Sequence, residues 1–157
     1  RLENFFDVVV EDAMAGMENW EEAESTLQQL AVDKLLENGM QKEDLRYIFA
    51  GDLLGQLIAT SFGLMQYEIP MFGLYGACST FGEALSLAAM TVHAGYAGHV
   101  IALASSHFAS AEKQFRYPLE YGNQRPPAST WTVTAAGQPL LVRKKARSVS
   151  VALRPEK

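Results

Sequence analysis

A parallel α/β sheet covered by helices on both faces is the fold this sequence predicts. Three observations carry that expectation. Short, continuous apolar runs recur at Tyr47–Ala50, Met71–Tyr75 and Val100–Ala104. Stretches of helical period separate them. Each run also ends in small or polar residues, as strands do where they deliver loops to the edge of a sheet. Unbroken apolar runs of this length belong to strands buried on both faces, and strand–helix–strand units at this spacing wind right-handed into a parallel sheet.

The elements follow in order. Residues 22–38 read as an amphipathic helix, with Leu27, Leu30, Ala31 and Leu35 at helical spacing and Asn38-Gly39 as its stop. Tyr47–Ala50 is a buried strand ending at Gly51-Asp52, and Leu53 to about Gln66 reads as a second helix weakened by Gly55 and Gly63. Pro70 opens the strand Met71–Tyr75. Gly76-Ala77-Cys78-Ser79-Thr80 is a tight turn of small residues leading into a helix over 79–94, apolar nearly all round and therefore expected to be a buried central helix. Val100–Ala104 is the third strand and runs into Ser105-Ser106-His107. Residues 108–129 read as a long loop with one helical turn, a length that in a compact domain points to function. Thr130–Thr134 has the β-branched and aromatic character of a strand, and residues 139–143 and 147–153 form a candidate hairpin.

Composition bounds the function. With 157 residues and 48% hydrophobic content the chain holds one domain with a real core, and no run reaches the roughly 18 apolar residues of a membrane helix. No signal-peptide pattern is present, and a first residue of Arg1 is read as a missing natural start. One cysteine excludes an internal disulfide and a multi-cysteine zinc site, and His93, His99 and His107 lack the spacing of a helical zinc site, so no metal is expected. The net charge is -5, and 14 of the 18 acidic residues fall within residues 1–68. A basic cluster (Arg143, Lys144, Lys145, Arg147, Arg154 and Lys157) closes the chain. It is read as a solvated strand or end and not as a nucleic-acid site, because the remainder of the chain repels a polyanion.

The candidate site lies at the carboxyl edge of the sheet, where open α/β sheets bind their ligands. Asp52, Cys78 and Ser105-Ser106-His107 each follow a predicted strand. A cysteine that opens a helix meets the partial positive charge there, and the free N–H groups of such a terminus suit a carboxylate or an oxyanion. Against this stands the ordinary role of a lone cysteine as a buried filler, of Asp52 as a helix cap, and of His107 as a polar strand end.

The stretch GLYGACSTFGEALSLAAMTVHAGYAGHVIALASSH resembles the heart of the thiolase and ketoacyl synthase superfamily. In that superfamily a cysteine among small residues opens a long buried helix followed by an apolar strand. The segments ENWEEAE, YIFAGDLLGQ, GACSTFGEAL, ASSHFASAEKQFRYPLEYGNQRP and STWTVT look like a sporulation branch of it, found in endospore-forming bacteria. The likeness covers residues 1–137 as a thiolase-like N-terminal half domain. Residues 138–157 follow it loosely, as a divergent basic tail or terminal strand. A thiolase fold has two βαβαβαββ halves, and this chain has the length of one. The superfamily's catalytic His, with a second His or Asn, comes from the other half.

The resemblance implies a non-enzymatic role without a cofactor: binding dipicolinate (pyridine-2,6-dicarboxylate) and assisting its entry into the developing spore, alongside other proteins of that system. It implies a spore or forespore location, cytoplasmic or peripheral to the inner membrane, and a homodimer paired through the strand 71–75. Cys78, Ser79, Ser106, His107 and Arg116 are the expected ligand residues, with Lys113 or Arg125 as further cations and Phe115 or Tyr117 to stack on the ring. Two alternatives remain open: an acyltransferase with Cys78 as nucleophile, and a non-catalytic structural subunit of a spore membrane complex.

Overall fold

The structure, a computed structural model, describes residues 5–142 and 145–153, the latter stretch by its backbone. The side chains of the basic cluster at 143–157 lie outside the described residues. Six strands form one open sheet: β1 (Val8–Val10), β2 (Leu45–Asp52), β3 (Met71–Gly73), β4 (His99–Ser106), β5 (Ala135–Val142) and β6 (Lys145–Leu153), in the order β1-β6-β5-β4-β2-β3. β3, β2 and β4 are parallel, and so are β1 and β6; β5 is antiparallel to both neighbours. The parallel heart is the predicted one. The hairpin β5–β6 starts earlier than the sequence suggested.

Alternate residues of β2 and β4 serve two cores, which is why their apolar runs are unbroken. Ile48, Ala50, Ile101 and Leu103 pack with Leu27, Ala31, Val32 and Leu35 of helix α1 (Trp20–Glu37) on one face. Phe49, Val100 and Ala102 pack with Ala84, Ala88 and Val92 of helix α3 (Thr80–His93) on the other. α1 starts where the sequence can stop its N–H groups from being orphaned: the Asn19 side chain accepts the Glu22 N–H at 2.8 Å. Its end runs into Gly39 in a left-handed conformation, φ 93°.

Several expectations are corrected. The second helix, α2, spans Ile58–Leu64 instead of starting at Leu53. Gln56 and Leu57 have positive φ, and the Asp52 carboxylate captures the Leu57 and Thr60 N–H groups, so residues 53–57 turn before the helix begins. β3 ends at Gly73 and not at Tyr75. Helix α3 is buried along one stripe, Thr80, Ala84, Ala88 and Val92, while Phe81, Leu85, Leu87 and Met90 are exposed. The sheet covers that stripe, and among the described residues no second layer covers the opposite side.

Within the expected loop the helical part is longer than one ordinary turn: residues 109–116 form a π-helical segment, closed by the Tyr117 N–H donating to Glu112 O five residues back. Thr130–Thr134 is not a strand, because side chains take its backbone groups. Glu112 accepts the Thr132 N–H, and Val133 O accepts the Ser106 hydroxyl. The strand β1 had no counterpart in the sequence reading, since three valines give too short a run to separate from coil.

Candidate functional site

Three loops meet the carboxyl edge of the parallel strands. Cys78 lies in the turn Ala77–Ser79 between β3 and α3 and is exposed, so it is not the buried filler that a lone cysteine usually is. Ala77 before it has φ 49°, an uncommon conformation for a residue with a side chain. The turn sits hard against β2. A Cβ on Gly51 would lie 2.1 Å from Leu74 O and 2.6 Å from Thr80 Cγ2. Thr80 Oγ1 accepts the Gly76 N–H at 3.2 Å, and Leu74 N–H donates to Ala50 O at 2.8 Å.

Cys78 and Ser79 open onto a shallow depression shared with Gly82, Glu83, Ser86 and Leu87. Its electrostatics are mixed. The positive end of α3 is here, but so is the Glu83 carboxylate. The Ser79 hydroxyl lies 2.6 Å from Glu83 Oε1 and 2.9 Å from Gly76 O, with one proton to give between them. The Ser79 N–H already donates to Gly76 O, and the Thr80 N–H to Ala77 O. The turn therefore offers the Cys78 thiol more freely than it offers a hydroxyl proton or the Ser79 and Thr80 N–H groups.

The other candidates are not among the residues lining this depression. The Ser106 hydroxyl donates to Val133 O. His107 is buried, and both ring nitrogens are engaged: Nδ1 accepts the Ala109 N–H at 3.1 Å, which leaves Nε2 to donate to Ala13 O at 2.9 Å. Burial lowers its proton affinity, consistent with a neutral ring in that tautomer. Arg116 bonds Glu112 Oε1 at 2.8 Å, Thr130 O at 3.2 Å and Ser129 Oγ at 3.0 Å, so it ties the segment 109–130 to itself. Lys113 lies over the rings of Trp20 and Phe108, and Arg125 over Trp131. Phe115 is exposed, and the Tyr117 hydroxyl lies 3.0 Å from Ser129 Oγ.

Behind the edge Asp52 and Ser105, both singled out from the sequence, join Glu24, Gln28 and Thr60, which were not, in a polar cluster. Asp52 and Ser105 are register partners at the ends of β2 and β4. Asp52 caps the loop before α2, and Ser105 donates to Glu24 Oε1 of α1 at 2.7 Å. Gln28, one turn on from Glu24, donates to Ser105 Oγ and Thr60 Oγ1. The available signal was two polar residues, Glu24 and Gln28, at i and i+4 within the apolar stripe of α1.

This fold, with its strand–turn–helix presenting Cys78, is thiolase-like. It matches the 3-oxoacyl-[acyl-carrier-protein] synthase III of Aquifex aeolicus VF5 with a TM-score of 0.51 at 22% identity, over 62% of this chain and 33% of that one. The priming β-ketosynthase of the R1128 polyketide pathway aligns with a TM-score of 0.47 at 20% identity, over 55% of this chain and 28% of that one. Within that class the chain belongs to the stage V sporulation protein AD (SpoVAD) family, whose model matches residues 1–153. It is 39% identical over 137 residues to stage V sporulation protein AD of Bacillus subtilis (strain 168), covering 87% of this chain and 40% of that protein. The chain thus spans about two fifths of the length of that relative. Among the described residues no helix is long and apolar enough to cross a membrane.

Proposed function

We propose that this chain contributes the Cys78 face of a sporulation protein that binds dipicolinate and, with other SpoVA proteins, assists its entry into the developing spore. The observation that carries the reading is the exposed Cys78–Ser79 turn at the positive end of α3, opening onto a depression. Within this chain, His107, the histidine next along this edge, has both ring nitrogens engaged and supplies no base to Cys78. Glu83 opposes a dianion in the same depression.

Isothermal titration with dipicolinate tests the assignment. Cys78→Ala should weaken binding about fivefold to tenfold, the loss of one weakly polar contact. Glu83→Gln should tighten it about threefold or more by removing a like charge near the surface. Affinity unchanged in both variants would place the ligand elsewhere. A covalent adduct at Cys78 after incubation with an acyl-thioester, read by intact mass, would favour the enzymatic alternative instead.

A second copy of the chain is the proposed partner at β3. Among the described residues this edge strand pairs only with β2, and its Phe72 is half-exposed while stacked on Phe49 at 4.9 Å. An unpaired apolar edge invites another strand. Sedimentation should show a dimer for the chain and a monomer for Phe72→Lys; a chain monomeric at micromolar concentration would exclude pairing there.

A further inference from the structure

Glu24 and Asp52 are two carboxylates inside one small domain, 1% and 0% exposed. Among the described residues neither makes an ion pair. They are the two ends of a single hydrogen-bond chain, and its polarity can be assigned. The Thr60 hydroxyl gives its one proton to Asp52 Oδ2 at 2.9 Å, and the Ser105 hydroxyl gives its one proton to Glu24 Oε1 at 2.7 Å. Each hydroxyl must then accept from elsewhere, and Gln28 Nε2 supplies both hydrogens, at 3.0 Å to Thr60 and 2.6 Å to Ser105. Gln28 Oε1 is left without a partner in the interior. The amide cannot turn over while both hydroxyls point at carboxylates.

The two ends are not equivalent. Asp52 accepts three bonds, from the Leu57 N–H, the Thr60 N–H and the Thr60 hydroxyl. Glu24 accepts from Ser105. Glu24, with fewer donors to offset its burial, is the end whose charged form is disfavoured.

We propose that Glu24 is a proton-operated latch: neutral, it lets α1 pack on the ends of β2 and β4, and on losing its proton it leaves a buried charge without an ion-pair partner that loosens that junction and, through Gln28, Thr60 and Asp52, the loop 53–57. The loop is held at its far end by Asp52, which accepts the Leu57 N–H. Leu57 packs on Gly73 of β3, and β2 carries the Cys78 turn on Gly51, so the latch acts on the edge where Cys78 sits.

The surroundings set the working range. Burial first, then the charges of Asp52 and of Glu21 on α1 itself, raise the Glu24 carboxyl to about 7 against the opposing bond from Ser105. From α2 comes Thr60 and from β4 Ser105, neither charged; from β5, Gln138, whose amide donates to Ala31 O. The segment after β4 brings the neutral His107 and the Lys113 ammonium, which lies over Trp20. A carboxyl raised in the folded state binds a proton that the unfolded chain has released. Its contribution to stability is therefore largest below about 4.5 and falls as pH rises toward about 7. His107, lowered from 6.5, slopes the opposite way at the acid end, and that slope cancels in a comparison of variant with parent.

The test is urea unfolding of the parent chain and Glu24→Gln at pH 5 and pH 8.5, with carbon-13 carboxyl NMR of the parent. Glu24→Gln should be favoured over the parent at pH 8.5 by on the order of a hundredfold in the folding equilibrium relative to pH 5. In the parent, one glutamate should titrate near neutrality, and exchange of the α1 and 53–57 amides, corrected for intrinsic rate, should rise with it. Asp52→Asn should move that titration to lower pH. A parent chain whose glutamates all titrate near 4.5, or a Glu24→Gln profile parallel to the parent's, would overturn the proposal. The NMR arm decides even if the variant fails to fold.

Discussion

Gly51→Ala should prevent the chain from folding or destabilise it by about 3 kcal/mol or more, the upper end of overpacking in a rigid core. The added Cβ would meet Leu74 O at 2.1 Å and Thr80 Cγ2 at 2.6 Å. The first is backbone carbonyl in the segment that carries Cys78, and Leu74 N–H is itself bonded to Ala50 O, so the chain cannot yield there without breaking the β2–β3 pairing. Gly82→Ala makes the contrast. A Cβ there meets nothing within 4 Å, and the residue is in the first turn of α3. That substitution should be neutral or stabilise by up to about 1 kcal/mol, the helix-propensity difference. Urea midpoints of the two variants against the parent measure both. A Gly51→Ala chain as stable as the parent would mean that the turn is not seated on β2 as described.

Glu112→Ala should cost about 3 kcal/mol and free the segment 109–134, the scale for removing one partner of a buried charged cluster. Glu112 is 2% exposed, and its Oε1 accepts from the Thr132 N–H at 2.8 Å, the Thr132 hydroxyl at 2.7 Å and Arg116 Nη1 at 2.8 Å. Burial alone would raise this carboxyl. The Thr132 bonds and the Arg116 charge outweigh it, and the group lies below its usual range. Its stabilisation is therefore present above about 4.5, the unfolded value, and is lost as pH falls below that. Arg116 is partly exposed and solvent-screened, so most of the effect belongs to Thr132. Limited proteolysis should cut the variant between residues 117 and 130 under conditions that leave the parent intact. Resistance equal to the parent's would show that the segment is held by other contacts.

The parallel heart of the fold was legible because burial on both faces writes unbroken apolar runs, and Ile48 to Ala50 and Val100 to Leu103 are such runs. Where side chains replace a ladder, propensity misleads. Thr130–Thr134 has strand composition, yet Glu112, Ser106 and Phe108 take its polar groups. The π-helical turn and the late start of α2 depend on contacts far apart in sequence, Asp52 with Thr60 among them, and periodicity does not record these. At the candidate site, Cys78 and Ser79 were legible from the small-residue turn before a helix. That Glu83 would share their depression, and that Ser106, His107 and Arg116 would bond to residues 13 and 129–133, required the tertiary structure.

The pairing of β1 with β6 sets a constraint on the order of assembly. Val8 lies beside Val151, Val9 beside Ala152 and Val10 beside Leu153, so partners in one ladder are more than 140 residues apart in sequence. Such distant closure is slow, because loop entropy is lost before the contacts form. During synthesis at about 5–20 residues per second, β1 leaves the ribosome several seconds or more before β6 exists. Through that interval its three valines have no neighbouring strand, and the α1–β2–β4 core must form without them. The sheet is therefore completed last at its β1–β6 edge.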